Sequence, residues 1–162
     1  MNKELENHLK AAQDEREGRQ RRQEAIRHAG PLFRDKFAEV AEWVIKPALD
    51  SVAETLVRHG HGCHVQLFKN VAPDTDEGAR VQMTFSPEHG RSVGSVATMS
   101  DVLVQFFRRT DQLKVECRFV FLGELDSLGE SKHRSAFFGL EEITREGVER
   151  LVAEFVKGVV KA

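Results

Sequence analysis

Three histidines and a cysteine fall within six positions in HGHGCH, residues 59–64. Imidazole and thiolate are the side chains that hold transition metals. A structural zinc site needs four ligands converging as a tetrahedron, usually two close pairs from separate segments. Only the first pair is here, because the remaining donors, His89, Cys117 and His133 among them, are scattered and no C-x-x-C occurs. His59, His61 and His64 are weak metal candidates. The expectation is no metal and no cofactor, with His59–Gly62 closing a helix, since glycine in the left-handed conformation commonly stops one and histidine suits its last turn.

Other chemical patterns fare no better. GRSVG, residues 90–94, matches the G-x-S-x-G of a nucleophile elbow around Ser92. That elbow needs a strand before it and a helix after it. Here SPEHG precedes it as a turn and strand-like residues follow, and the only downstream histidine base is His133. GELDSLGES has glycines near Lys132, yet Glu130 follows Gly129, so the G-K-[ST] of a phosphate loop is missing. Asp74, Asp76 and Glu77 begin like a calcium loop but lack its later glycine and bidentate glutamate. No catalytic set emerges, and the chain reads as a non-enzyme.

The elements that would position these residues can be read from periodicity. Residues 1–29 lean towards helix and form a charged arm, with Leu5, Leu9, Ala12 and Ile26 on a 4,3 spacing interrupted by Arg16, Arg19 and Gln23. AGPLF punctuates the chain, Pro31 standing where a new helix would start. A second helix follows over roughly 32–58, with an apolar stripe of Phe33, Phe37, Val40, Ala41, Val44, Ala48, Leu49, Val52 and Leu56, and Pro47 predicts a kink near Ile45 and Lys46. From Cys63 the period becomes two. Strands are expected at CHVQLF, RVQMTF, VLVQFFRR and LKVECRFVF, the last two a hairpin joined by TDQ, with Leu113 on the inward face of its strand. Further short strands are expected within SVGSVATM and at SAFFGL, a polar loop at 72–78, and a mobile loop at 123–135. Thr144 caps a final helix with Val148, Leu151, Val152, Phe155, Val156 and Val159 on one side.

These elements give an α+β fold: residues 30–162 form one domain, an antiparallel sheet of four or five strands with a kinked helix and a C-terminal helix on one face. The strand phases then put Gln66, Phe68, Arg80, Gln82, Gln105, Phe107, Arg109, Lys114 and Arg118 together on the other face. His64 points to that side, and Cys63 to the core.

The 162 residues suit one domain, and a net charge of −2 gives no general pull towards nucleic acid or anionic membrane. Two cysteines and no signal-like start imply a cytoplasmic protein with reduced thiols, and no apolar run approaches membrane-spanning length. The function expected is a non-enzymatic protein-interaction module that engages a second copy of itself, or another protein, through Leu5, Leu9 and Ile26 of the arm and Phe68, Phe107, Arg109 and Arg118 of the sheet. A nucleic-acid surface using Arg16, Arg19, Arg21 and Arg22 with the basic sheet residues is the alternative. It is disfavoured because residues 1–30 hold seven basic against six acidic residues, and residues 59–140 nine against ten. A small metal- or ligand-dependent enzyme around His61, His64 or His133 is a third reading.

Overall fold

The structure is a computed structural model that describes residues 2–69, 79–94 and 96–160. Helix α1 (Lys3–Val40) runs through a π turn (Ala41–Ile45) into α2 (Lys46–Arg58), so that 56 residues form one unbroken helix. Five strands follow: β1 (Cys63–Phe68), β2 (Arg80–Phe85), β3 (Val102–Arg109), β4 (Lys114–Leu125) and β5 (Ser131–Phe138). A 3₁₀ turn (Leu140–Glu142) leads to α3 (Arg145–Val159). The sheet is a meander in chain order, every neighbour antiparallel, which makes the α+β fold. Among the described residues no helix is long and apolar enough to cross a membrane.

Alternation within the strands builds the core. Val81, Met83 and Phe85, then Val102, Val104 and Phe106, then Val115, Cys117 and Phe119 share one side of the sheet. They form one buried cluster with Phe37, Ala41, Ile45, Ala48, Leu49 and Leu56 of the long helix and Val148, Val152 and Phe155 of α3. Both helices therefore pack on that side. Phe155 fixes α3 by stacking on Phe119 at 4.0 Å between centroids and meeting Phe85 and Phe121 edge-on. Thr144 Oγ1 accepts from the Gly147 N–H at 3.0 Å, capping α3 as its sequence indicates.

The long helix departs from expectation at Pro31. Pro31 does not separate two helices; it lies inside α1. A proline leaves one carbonyl a turn earlier without its donor, and packing of the following apolar stripe can outweigh that loss. Pro47 also has no N–H to return to the preceding turn, and the disturbance expected near Ile45 and Lys46 takes the form of a π turn. There the ladder widens, and the Lys46 N–H bonds to the Ala41 carbonyl five residues back. Phe33, Phe37, Ala41, Ile45 and Leu49 recur at steps of four, each overshooting a 3.6-residue turn by about 40°. A wider π turn absorbs part of that drift, which keeps Ile45 wholly buried and turns Trp43 outward at 72% exposure.

Three strand-region expectations are corrected. No strand forms among the described residues of 92–99; that stretch is an irregular connection tied by the Asp101 carboxylate, which accepts from the Thr98 N–H and hydroxyl. Residues 123–135 are not a loop but the tip of a hairpin. The Asp126 side chain accepts from the Leu128 and Glu130 N–H groups, Gly129 takes φ +78°, and β4 and β5 run up to either side of this turn. Leu113 belongs to the β3–β4 turn at φ +51°, and its strand begins at Lys114. The loop expected at 72–78 lies outside the described residues.

Candidate functional site

The His/Cys run is dismantled by the helix-to-strand junction that crosses it. His59 ends α2, and Gly60 takes φ +87° with the His89 ring so close that a Cβ there would collide with it. His61 is buried, its Nδ1 3.1 Å from the Ser86 carbonyl oxygen, its ring edge-on to His89 at 5.9 Å. Cys63 packs against the core, and burial pushes its thiol up to about 12; burial raises the Cys117 thiol as well. Thiols held protonated are poor nucleophiles and poor ligands. His64 pairs with Thr84 on the opposite side of the sheet. Among the described residues no three His, Cys, Asp or Glu side chains gather into a metal-binding group. Ser92 sits in the irregular β2–β3 connection, without the strand-turn-helix setting of a nucleophile elbow.

A cleft of about 560 Å³ opens between the helix and the β1–β2 edge, lined in part by Arg34, Phe37, Leu67, Phe68 and Arg108. None of His61, His64 and His133 lines it. The histidines and the cleft therefore do not combine into one catalytic site.

Two surfaces remain. The first is the arm. Between Lys3 and Ala29 no described side chain is buried; Leu5 is 52% and Leu9 56% exposed, Ile26 is half-buried, and Arg16, Arg19, Arg21 and Arg22 are all exposed. At 1.5 Å per residue these residues extend about 40 Å from the domain. Burial starts at Gly30, where a Cβ would come within 3.2 Å of the Thr110 methyl group.

The second is the outer side of the sheet, none of whose residues joins the cluster beneath the helices. Strand register arranges it in rows. Phe68, Arg80, Phe107, Glu116 and Phe137 are successive partners across all five strands. Gln66, Gln82, Gln105, Arg118 and Ser135 form the next row, and His64, Thr84, Leu103, Val120 and His133 the third. In the first row the phenylalanines stand two strands apart, about 10 Å.

Glu116 and the arginines beside it satisfy one another. Glu116, 2% exposed, accepts from Arg109 Nη1 at 2.9 Å, Arg118 Nε at 2.8 Å and the Ser135 hydroxyl at 3.1 Å. Arg109 also donates to Asp111, and that bond, followed by the charges of Asp111 and Glu116, holds its guanidinium charged even more firmly than usual. The Arg80 guanidinium lies 4.1 Å from the Phe68 ring centre, and that of Arg118 4.7 Å from Phe107. Gln82 links the rows, its Oε1 accepting from Gln105 at 2.8 Å and Arg80 at 3.2 Å.

Register thus brings Phe68, Phe107, Arg109 and Arg118 onto one surface, and leaves Leu5, Leu9 and Ile26 on a separate arm. Alternation along LKVECRFVF puts Glu116 outward with Lys114 and Arg118, though it does not mark it as the hub of the network, and Phe137, which ends the aromatic row, escaped sequence reasoning. Strict alternation from Phe138 would have placed Phe137 outward as well. No protein family, curated protein or solved structure matches this chain.

Proposed function

We propose that this protein is a non-enzymatic protein-interaction module that associates with a second copy of itself, its arm and outer sheet surface supplying the contacts. The carrying observation is the arm: about 27 residues of helix continue the core helix outward, and none of their described side chains is buried by the rest of the chain. Helices in proteins draw most of their stability from packing an amphipathic face. A partner would supply that packing here.

The sheet surface supports the same reading over nucleic-acid binding. Base stacking needs open ring faces and uncommitted cations. Arg80 and Arg118 already cover Phe68 and Phe107, and Glu116 neutralises part of the local positive charge. A cytoplasmic setting fits the free thiols, since Cys63 on β1 and Cys117 on β4 are three strands apart, too far to form a disulfide.

Sedimentation equilibrium of the full chain beside one beginning at Gly30 tests the proposal. Twice the chain mass for the first and the single-chain mass for the second is the expected outcome. A full chain that stays monomeric at all concentrations removes it.

A further inference from the structure

The proposed self-association leaves open how two arms would meet, and the charges of the arm answer that. In DEREGRQRR, residues 14–22, the signs invert about Gly18. Asp14, Glu15 and Glu17 stand four, three and one residues before it, and Arg22, Arg21 and Arg19 stand four, three and one residues after it. Arg16 and Gln20 alone break the pattern.

On a helix of 3.6 residues per turn, Asp14 and Arg21 flank Gly18 on one side, and Glu15 and Arg22 flank it on the other. A twofold axis through Gly18, perpendicular to two antiparallel helices, keeps each flank on its own side and reverses its direction along the axis. Asp14 then lies opposite the partner's Arg21, and Glu15 opposite the partner's Arg22, each within about 1.5 Å of level. Symmetry repeats both pairs, giving four. A parallel pair in register instead sets Asp14 against Asp14 and Arg21 against Arg21, the arrangement that charge patterning selects against.

The structure adds two observations. None of Asp14, Glu15, Arg21 and Arg22 forms an ion pair among the described residues, although the helix offers Glu17 to Arg21 at four residues. And nothing lies within 4 Å of where a Gly18 Cβ would be, so the fold of a single chain gives no reason for the poorest helix former other than proline at mid-arm. A crossing helix gives one, because the absence of a side chain lets two backbones approach.

We infer that two copies of this chain pair through their arms as antiparallel helices crossing at Gly18, held by Asp14 and Glu15 against the partner's Arg21 and Arg22. The inference rests on the self-association proposed above and specifies its geometry. Leu5, Leu9 and Ile26 fall on other sides of the helix than the crossing.

Charge reversal tests it in the full-length protein. R21E/R22E is expected to weaken the dimer about tenfold at low salt. The fourfold swap D14R/E15R/R21E/R22E restores complementarity only in an antiparallel pair and is expected to return the original affinity. Spin labels at Glu6→Cys, which points away from the crossing, should lie about 36 Å apart along the axis, against under about 20 Å in a parallel pair. Cys117 is wholly buried and stays unlabelled in the folded protein, and the half-buried Cys63 is replaced by alanine in the labelled chain. A dimer with the short label distance, or one the fourfold swap does not restore, overturns the antiparallel crossing and leaves self-association standing. A wild-type chain that is monomeric overturns both.

Discussion

Before Gly30 and after it, the long helix is the same kind of backbone in two surroundings. After it, Phe37, Ala41, Ile45, Ala48 and Leu49 are buried against the sheet and α3, and the helix is held although Pro47 forces a π turn into it. Before it, the helix carries a glycine at position 18, a seam broken by Arg16, Arg19 and Gln23, and no buried described side chain. One half is held by its own chain. The other has no buried side chain among the described residues, and under the proposed pairing its order would depend on association and so on protein concentration.

The largest contrast should appear on truncation. Leu49→Ala, at a wholly buried site facing the sheet, is expected to lower stability by about 3 kcal/mol in urea unfolding. Leu9→Ala, on a side chain 56% exposed, should stay within about 0.5 kcal/mol in the same assay. Equal losses would mean that the arm packs on the domain.

A second contrast separates charges that the chain satisfies from charges that it does not. Arg118→Ala removes a cation hydrogen-bonded to the buried Glu116 and stacked over Phe107. Arg109 and Ser135 still reach that carboxylate, so the expected loss is about 2 kcal/mol, below that of fully orphaning a buried charge. Arg22→Ala should leave the stability of dilute protein within about 0.5 kcal/mol and weaken only the dimer. Comparable losses for the two would break the distinction.

The smallest effect concerns Cys63, just past the end of the helix. Its thiol is raised from 9.0 to about 12 in the folded chain by burial. The native state therefore keeps a proton that the unfolded chain gives up, so the contribution is complete below pH 9 and is lost as pH climbs towards 12. Stability of the wild-type chain should fall with pH over that interval, and Cys63→Ala should fall less steeply. Identical slopes would place the thiol in water.

Much of this molecule is legible in its residues. CHVQLF and RVQMTF mark β1 and β2 to the residue, because alternation with one buried side is a strong signal. The helix stop at His59 and Gly60 and the Thr144 cap are local chemistry and read equally well. The failures share a cause, since tertiary contacts overrode local preference. Pro31 looks like a boundary until the apolar stripe beyond it is seen to hold the helix through it. Ile45, left out of the predicted stripe, is wholly buried beside the π turn. The SAFFGL end of strand β5 is legible, but its first half hides because an edge strand carries polar residues on both sides, here Lys132, His133 and Arg134, which blunts the alternation. For the candidate surfaces, the sequence placed Phe68, Phe107, Arg109 and Arg118 on one side of the sheet. It could not show that the cations among them are already committed to Glu116 and to the rings.

Hydrogen exchange measured residue by residue across a range of protein concentrations tests the central claim most directly. Amides of β2 and β3 should exchange at rates independent of concentration. Those between about residues 11 and 25 should become protected as concentration rises and dimers form, and should lose that protection in R21E/R22E. Arm amides that exchange equally fast at every concentration, or that are equally protected at every concentration, would contradict the claim that a second copy holds the arm.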